Sequence, residues 1–213
     1  MTANRWFLLA GAALLVSGCA KNRYDLDETG GAKIRRSVCP AVAIPAYTDT
    51  VSLFTLPTRD SRALDVTATI TNLRTACDDS GATVRSTTTF DVVAQRADPR
   101  GARDVVLPYF STVLRAGTTI MSKQVGQVSV HFADGQVRGT GSGSGTADVS
   151  KALASIPERI SNDLNRRRKP GDADASIDPM ADPRIRSAVN QANFEHLIGF
   201  QLTDAQLAYN AGR

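Results

Sequence analysis

The stretch Leu64-Asp65-Val66-Thr67-Ala68-Thr69-Ile70-Thr71 alternates strictly, with apolar side chains at the even positions and polar ones at the odd positions. Successive side chains of a β-strand point to opposite faces, so this pattern predicts a strand with one face in a core and one in water. The same period returns at 84–94, after the turn sequence Asp78-Asp79-Ser80-Gly81. Two strands joined by a short turn predict an antiparallel pair.

Further strands are predicted on both sides of this pair. Residues 105–114 are apolar on both faces, which indicates a more central strand, while Pro108 lacks a ladder donor and suggests a bulge or an edge register there. A strand is also predicted at 118–132, and weaker ones at 41–46 and 50–56. About seven strands with short connections predict a mainly β fold, an antiparallel sandwich of immunoglobulin-like type spanning residues 40–149.

The glycine-rich run at 139–145 allows two interpretations, a flexible linker or a strand. Asp134-Gly135 favours a hairpin turn. A turn there would place Gly139 and Gly141 opposite Val130 and Val128, with the glycines on the core side and the intervening hydroxyl residues in water. A strand without inward side chains leaves a groove, and we expect the C-terminal helices to fill it.

Helical signals begin after residue 150. Ser155-Ile156-Pro157-Glu158 has the form of a capping box, and Ile160 and Leu164 continue an apolar stripe. Asp182-Pro183 opens a second predicted helix, whose stripe runs through His196 and ends at Gly199, and Thr203 with Gln206 opens a third. Residues 150–213 are thus predicted to be an α-helical segment packed on the sandwich, in the same domain.

The N-terminus combines one positive charge, Arg5, with eleven uncharged residues at 6–16 and then Val16-Ser17-Gly18-Cys19. A membrane-spanning helix needs about 20 apolar residues, so the run is too short to span and is typical of a signal peptide. The tetrapeptide resembles the lipobox of bacterial lipoproteins at all four positions. The body, with the tail sequence at 194–203, resembles uncharacterised envelope lipoproteins of alphaproteobacteria.

The lipobox resemblance implies cleavage of residues 1–18, a diacylglyceryl group on Cys19 and a third acyl chain on its new amino group. Several acyl chains anchor a protein stably where one binds only marginally. In the enterobacterial lipoproteins that this sequence resembles, an Asp after the lipidated cysteine retains the protein at the inner membrane, so Ala20 implies the outer membrane. Residues 19–39 would be a tether from the bilayer to a periplasm-facing body. The alternative is an ordinary secretory signal peptide in which Cys19 has no special role.

Cys39 and Cys77 remain as an even pair if Cys19 carries lipid. In an oxidising envelope compartment such a pair predicts a structural disulfide, which would close a loop of 38 residues. The alternative, a reactive thiol or a metal pair, is less favoured because neither cysteine has a nearby histidine or a second cysteine two or three positions away.

The charge balance of the body gives no support to a nucleic-acid partner. Without Arg5 the body has 24 basic and 21 acidic residues, a formal charge of +3 (24 minus 21). Phosphate recognition requires basic residues concentrated on one face, so this small excess predicts no nucleic-acid binding.

The residues that could carry catalysis or bind a metal do not form a known motif. The glycine run lacks a nucleophile elbow and a phosphate-binding loop. His131 and His196 stand 65 positions apart and are predicted to be structural. The aspartates at 172, 174, 178 and 182 lack the glycine and the late glutamate of a calcium loop. We therefore expect no enzyme activity, cofactor or metal.

A basic cluster, Arg166-Arg167-Arg168-Lys169, closes a predicted helix, where positive charge interacts favourably with the helix dipole. The first hypothesis for function is a non-enzymatic outer-membrane lipoprotein that acts as a structural or protein-interaction module in envelope assembly, with an unknown protein partner. The alternative is a module that binds peptidoglycan or another anionic envelope polymer through this cluster.

Overall fold

A computed structural model of the chain describes residues 37–56, 61–166 and 168–212. These residues form eight strands, four α-helices and two short 3-10 helices at Ser61–Ala63 and Pro179–Ala181. The strands are β1 (Ala41–Ala43), β2 (Thr50–Phe54), β3 (Leu64–Asp78), β4 (Thr83–Arg96), β5 (Arg103–Arg115), β6 (Thr119–Phe132), β7 (Arg138–Ser150) and β8 (Phe194–Phe200). The helices are α1 (Lys151–Ala154), α2 (Glu158–Asn165), α3 (Pro183–Gln191) and α4 (Asp204–Ala211).

All eight strands belong to one sheet in the order β1-β8-β5-β6-β7-β4-β3-β2. Only β1 and β8 are parallel, and the other neighbours are antiparallel. The sheet curls into a half-barrel, with the core on its inner face. The mainly β fold is confirmed, whereas an immunoglobulin-like sandwich of two sheets is not, because a bridge between His131 and Thr140 joins β6 to β7 and makes the sheet continuous.

The core follows from the alternation in the sequence, since every second side chain of β3, β4 and β5 points inward. Large buried residues of the inner face come from five different strands. They are Ile70, Phe90, Val92, Leu107, Val128, Val130, Phe132, Ile198 and Phe200. Strand β5, predicted to be central, lies between β8 and β6.

Strand β8 corrects the prediction of a helix that reaches Gly199. Helix α3 ends at Gln191, and the chain then forms a strand from Phe194 to Phe200. Phe194, His196, Ile198 and Phe200 are all buried and recur every second residue, which is a strand period. His196 also fits the helical spacing of the apolar residues in α3, so the sequence pattern did not reveal the change from helix to strand.

Strand β7 confirms the strand interpretation of the glycine run. Thr140 and Ser142 are exposed, while Gly139 and Gly145 are buried. The hairpin register is two residues from the predicted one, since His131 pairs with Thr140. The expected filling by C-terminal helices is wrong, because side chains of neighbouring strands occupy the space.

Pro108 does not cause the predicted bulge. It pairs in regular register with Gln127, and the register shift of β5 lies between Val113 and Leu114. The Pro108 carbonyl accepts a bond from the Gln201 N–H, just after β8 ends. A residue's N–H and C=O point to the same side of a strand, so the absent N–H faces Gln201, just past the end of β8, and the pairing with β6 is not affected.

The predicted disulfide between Cys39 and Cys77 is confirmed, with an S–S distance of 2.05 Å. It joins the segment before β1 to β3, and these strands lie near opposite ends of the sheet order. The β1–β2 connection links the same two regions, because the Thr48 carbonyl accepts from Phe200 N–H and the Asp49 carbonyl from Ile70 N–H. The ends of the curled sheet are therefore held together at two levels.

Of the two predicted capping boxes, one is confirmed and one is wrong. The capping box of Thr203 and Gln206 is confirmed at the start of α4. The box at Ser155 is wrong, because Pro157 precedes α2 without a side-chain cap and the Ser155 hydroxyl donates to the Lys151 carbonyl instead. Helices α2 and α3 share a small apolar cluster that includes Ile160, Ile185 and Val189. Helix α4 contacts β2, where the rings of Tyr209 and Phe54 meet edge to face.

Candidate functional site

The first half of β6 has one unpaired edge. Residues 119–127 pair with β5 from Thr119 opposite Arg115 to Gln127 opposite Pro108, with one register shift that leaves Met121 as an extra residue between Ile120 and Ser122. On its other side β6 is bridged to β7 only farther along, at His131. We call residues 119–127 the open β6 edge. Its main-chain donors and acceptors on that side have no strand partner in the described sheet.

Both faces of this segment are in solvent. Residues 119–125 are all exposed, in contrast to Val128, Val130 and Phe132 farther along the same strand, which are buried. The exposed set includes Ile120, with 63% of its surface accessible, and Val125, with 60%. Apolar side chains so exposed, on an unpaired edge, are characteristic of a surface that contacts another polypeptide.

An apolar outer surface adjoins the edge. Val125 lies directly opposite Phe110 of β5, and Ile120 lies opposite Leu114, four residues farther along β5, so Val125 and Ile120 share the outer face. Val106 lies farther along the outer face of β5 and is 54% exposed. The one charged side chain of the open β6 edge is Lys123, whose Nζ lies 5.4 Å from the centre of the Phe110 ring.

Tyr109 accounts for the separation of β6 from β7. Its ring lies against Gly126, where a Cβ atom would come within 2.5 Å of Tyr109 Cζ. Its hydroxyl donates to the Ser144 carbonyl at 2.6 Å. A buried β5 side chain thus contacts the β7 backbone at the level where β6 no longer pairs with β7.

The glycines of β7 bring that strand onto the inner face of β5 and β8. A Cβ at residue 145 would lie 2.6 Å from Ser111 Oγ and 2.8 Å from Ile198 Cδ1, and one at residue 143 would overlap the Phe90 ring. Only glycine permits such close approach. The composition of β7 therefore contributes to leaving the open β6 edge without a neighbour.

Strand β3 also has a stretch paired on one side only, and it differs in character. Residues 74–78 pair with β4, whereas β2 covers β3 only from Leu64 to Thr69. This stretch is short and mainly polar, and it carries Cys77 of the disulfide. The open β6 edge is longer and more apolar, which makes it the stronger candidate for binding.

His196 is the centre of a buried polar cluster. Its Nε2 lies 2.8 Å from Ser111 Oγ, and its Nδ1 lies 3.2 Å from Thr88 Oγ1 and 3.5 Å from Ser86 Oγ. Burial lowers the pKa of the ring, which favours the neutral form. A serine and a histidine at this distance could form a nucleophile and base, but both are at most 5% exposed, so a substrate has no access to them.

The basic cluster predicted to bind polymer is only partly available. Arg166 forms an ion pair with Asp174, and Arg168 Nε lies 3.4 Å from the same carboxylate. Lys169 is exposed, and its main-chain N–H donates to Asp172. Arg167 lies outside the described residues.

The four aspartates weighed as calcium ligands have other roles. Asp172 and Asp174 accept bonds from the basic cluster, as described above. Asp178 and Asp182 accept from the main-chain N–H of Met180 and Arg184, which confirms both as helix-entry residues before proline. Among the residues that the structure covers, no group of three or more acidic, histidine or cysteine side chains converges on a metal position.

The predicted lipidation residue, Cys19, lies outside the described residues, as do the predicted signal peptide and most of the tether. In the described part of the chain, no helix combines the length and apolar character needed to cross a bilayer.

No protein-family model, curated protein or solved structure matches this chain. Its function must therefore be inferred from its own residues and their geometry.

Sequence reasoning did not identify the open β6 edge. The local sequence Thr-Ile-Met-Ser-Lys-Gln-Val-Gly-Gln resembles that of an ordinary strand. A weak indication was available, since Ile120 and Met121 are adjacent and a regular strand would point them to opposite faces, so one of them would be exposed on a strand with a single buried face.

Proposed function

We propose that this protein is an outer-membrane lipoprotein, anchored through Cys19 and facing the periplasm, whose body is a non-enzymatic protein-interaction module. The body binds a protein partner by accepting an extended segment of that partner as an additional strand at the open β6 edge. In this mode of recognition, main-chain hydrogen bonds supply affinity and alternate side chains supply specificity.

One observation carries the proposal: residues 119–127 have a main-chain edge without a strand partner in the described sheet, and they include the exposed apolar side chains of Ile120, Met121 and Val125. Proteins commonly protect such edges with bulges, charges or covering loops, because an exposed apolar edge pairs with other chains. This edge has one charge, Lys123, and one register shift, at Met121, and its remaining residues are uncharged. A partner that completes the sheet would satisfy the backbone and cover the apolar surface.

The anchor supports this role through geometry. If Cys19 is held in the bilayer, the chain from residue 19 to 39 spans at most about 70 Å when fully extended. The body could thus reach partners in the periplasm while remaining on one membrane.

Site-specific photo-crosslinking in intact cells tests the interaction. A photoactivatable phenylalanine analogue replaces Met121 or Val125 at the edge, or Val93 as a control. Val93 is a suitable match because it is an exposed valine, 46% accessible, on the outer face of the interior strand β4. We expect positions 121 and 125 to capture one common partner that position 93 does not.

The substitution Val125→Glu, compared with Val93→Glu, extends this test. The first should abolish capture from position 121 because it places a charge in the apolar surface, whereas the second should leave capture intact. Capture that is equal from positions 93 and 125, or that Val125→Glu does not change, would exclude the edge as the binding site.

The alternative, polymer binding through residues 166–169, is less favoured because Asp174 already pairs with Arg166 and Arg168. Neutralising Arg166, Arg167 and Arg168 together should leave sedimentation with isolated cell-wall material unchanged. A loss of sedimentation would instead support the polymer hypothesis.

A further inference from the structure

We infer that the segment bound at the open β6 edge carries an acidic residue opposite Lys123 and an apolar residue two positions away, opposite Val125. This inference rests on the proposed function and specifies the partner's chemistry.

Lys123 determines the charge expected in the bound segment. It is the only charged residue at 119–127, and its pair on β5, Thr112, is neutral. Within the described part of the chain, no carboxylate lies at ion-pair distance from its ammonium group. The contact with the Phe110 ring holds the side chain on the outer face while leaving its charge without a counter-ion.

The alternation of β6 gives the rest of the pattern. Val125 stands two residues after Lys123, and both pair regularly with β5, so their side chains share the outer face. Met121 is excluded from the pattern because the register shift between Val113 and Leu114 leaves it without a β5 partner. On an added strand, the residues directly opposite would have Cβ atoms about 4.5–5.5 Å away. Complementary contacts then require an acidic and an apolar residue at alternate positions of the added segment.

The intervening positions of the added segment face the other side of the sheet. There they meet Ser122 and Gln124, which are polar and exposed. These positions therefore accept polar residues, so the pattern is polar, acidic, polar, apolar opposite residues 122 to 125. Nine residues at about 3.3 Å each make the edge about 30 Å long, enough for the whole pattern.

A second copy of this chain is a poorer occupant. Antiparallel pairing of two 119–127 segments about a two-fold axis, in full register, would place Lys123 of each chain opposite the other. Like charges directly opposite each other destabilise a strand pair. Charge complementarity therefore favours a different polypeptide.

The test is a selection from a display library of random nine-residue peptides, using the full-length chain as the host cell produces it. Three targets are compared: the unsubstituted protein, Lys123→Glu, and the control Arg138→Glu, which reverses an exposed charge away from the edge. From the first and third targets we expect peptides with an Asp or Glu two positions from an apolar residue. From Lys123→Glu we expect a Lys or Arg in place of that acid.

The affinities of the selected peptides measure the size of the charge effect. Exchanging the acidic residue for Lys should weaken binding to the unsubstituted protein about fivefold. For Lys123→Glu, the peptide with Lys should bind more tightly than the peptide with the acid. Peptides that lose binding with Val125→Glu but show no charge preference would overturn this inference and leave the proposed function standing. Peptides indifferent to Val125→Glu would contradict both. A dimer in sedimentation that Val125→Glu dissociates would show that the occupant is a second copy.

Discussion

Arg96 is a buried cation that the sequence pattern did not predict. It is 2% exposed and stacks over the Phe132 ring at 5.3 Å. Four main-chain carbonyls surround its guanidinium group, at distances between 2.5 and 2.9 Å. They belong to Pro99, Gly101, Ala133 and Gln136. Arginine suits this site because its planar group presents five donors in fixed directions, and one side chain thereby joins the two loops at this end of the sheet.

Replacing Arg96 with Met should lower the free energy of unfolding by about 3 kcal/mol or more, because several buried carbonyls lose their partners while the volume is largely kept. Urea unfolding followed by circular dichroism measures the change. The control Arg138→Met removes an exposed arginine and should have an effect within about 0.5 kcal/mol. Equal effects of the two substitutions would show that the carbonyl contacts add nothing to stability.

His196 makes the stability of the fold depend on pH. Burial lowers its pKa in the folded state, whereas in the unfolded chain the ring titrates near its ordinary value of about 6.5. Below that pH the unfolded chain binds a proton that the folded interior does not. The free energy of unfolding should therefore fall as the pH falls from about 7, with a limiting slope of about 1.4 kcal/mol per pH unit, until the folded-state pKa is reached.

Urea unfolding between pH 5 and 8 measures this slope. His196→Gln should remove most of the slope, whatever its effect on stability at pH 8, because the amide does not titrate. His131→Gln changes an exposed histidine that contacts Asp104 and should leave the contribution of His196 in place. A slope that persists in His196→Gln would show that another group causes it.

At the scale of elements, β7 depends on the absence of side chains on the inner face of its glycine-rich part, residues 139–145. Gly145→Ala would place a Cβ too close to Ser111 and Ile198, and Gly143→Ala would press on the Phe90 ring. Each should lower the free energy of unfolding by about 1–3 kcal/mol through overpacking. Ser142→Ala, on the exposed face between them, is the matched control and should change it by no more than about 0.5 kcal/mol.

Thermal and urea unfolding of these three variants measures the difference. If Gly145→Ala matched Ser142→Ala in stability, β7 could not lie as close to β5 and β8 as described. The explanation given for the open β6 edge would then fail as well.

Local patterns predicted the elements whose causes are local. The alternation at 64–71 identified β3, and the capping box at Thr203 identified the start of α4. Strand β8 was missed because its partners β1 and β5 lie far away in sequence, and because His196 fits a helical spacing as well as a strand spacing. Over a few residues a helical period and a strand period can coincide, and the sequence pattern alone then does not distinguish them.

The open β6 edge could not be predicted for a similar reason. Its existence depends on contacts of Tyr109 with Gly126 and Ser144, which join three strands. The hairpin turn before β7 was identified, and it suggested continuous pairing of β6 with β7. Only the packing of a bulky ring against a glycine-rich strand determines where that pairing stops.

At the scale of the whole molecule, the two ends of the curled sheet are fixed while a central strand remains open. The disulfide closes a 38-residue loop, which by chain entropy contributes on the order of 4 kcal/mol. Main-chain bonds to Thr48 and Asp49 join the same regions at a second level. The sheet thus keeps its curvature without requiring β6 to pair along its full length, so the open β6 edge remains free to bind.

The proposed lipid anchor predicts how the whole protein behaves in the cell. Growth with an alkyne-labelled fatty acid should label the unsubstituted protein and leave Cys19→Ala unlabelled, because the proposed modification forms a bond to that sulfur. The Cys19→Ala protein should also no longer sediment with the membrane pellet and should be found in the other cell fractions. The double variant Cys39→Ala/Cys77→Ala controls for the removal of cysteines other than Cys19. It should keep its label, since these two residues form the disulfide. Label retained by Cys19→Ala, or a membrane-bound protein that still begins at Met1, would contradict the lipoprotein assignment.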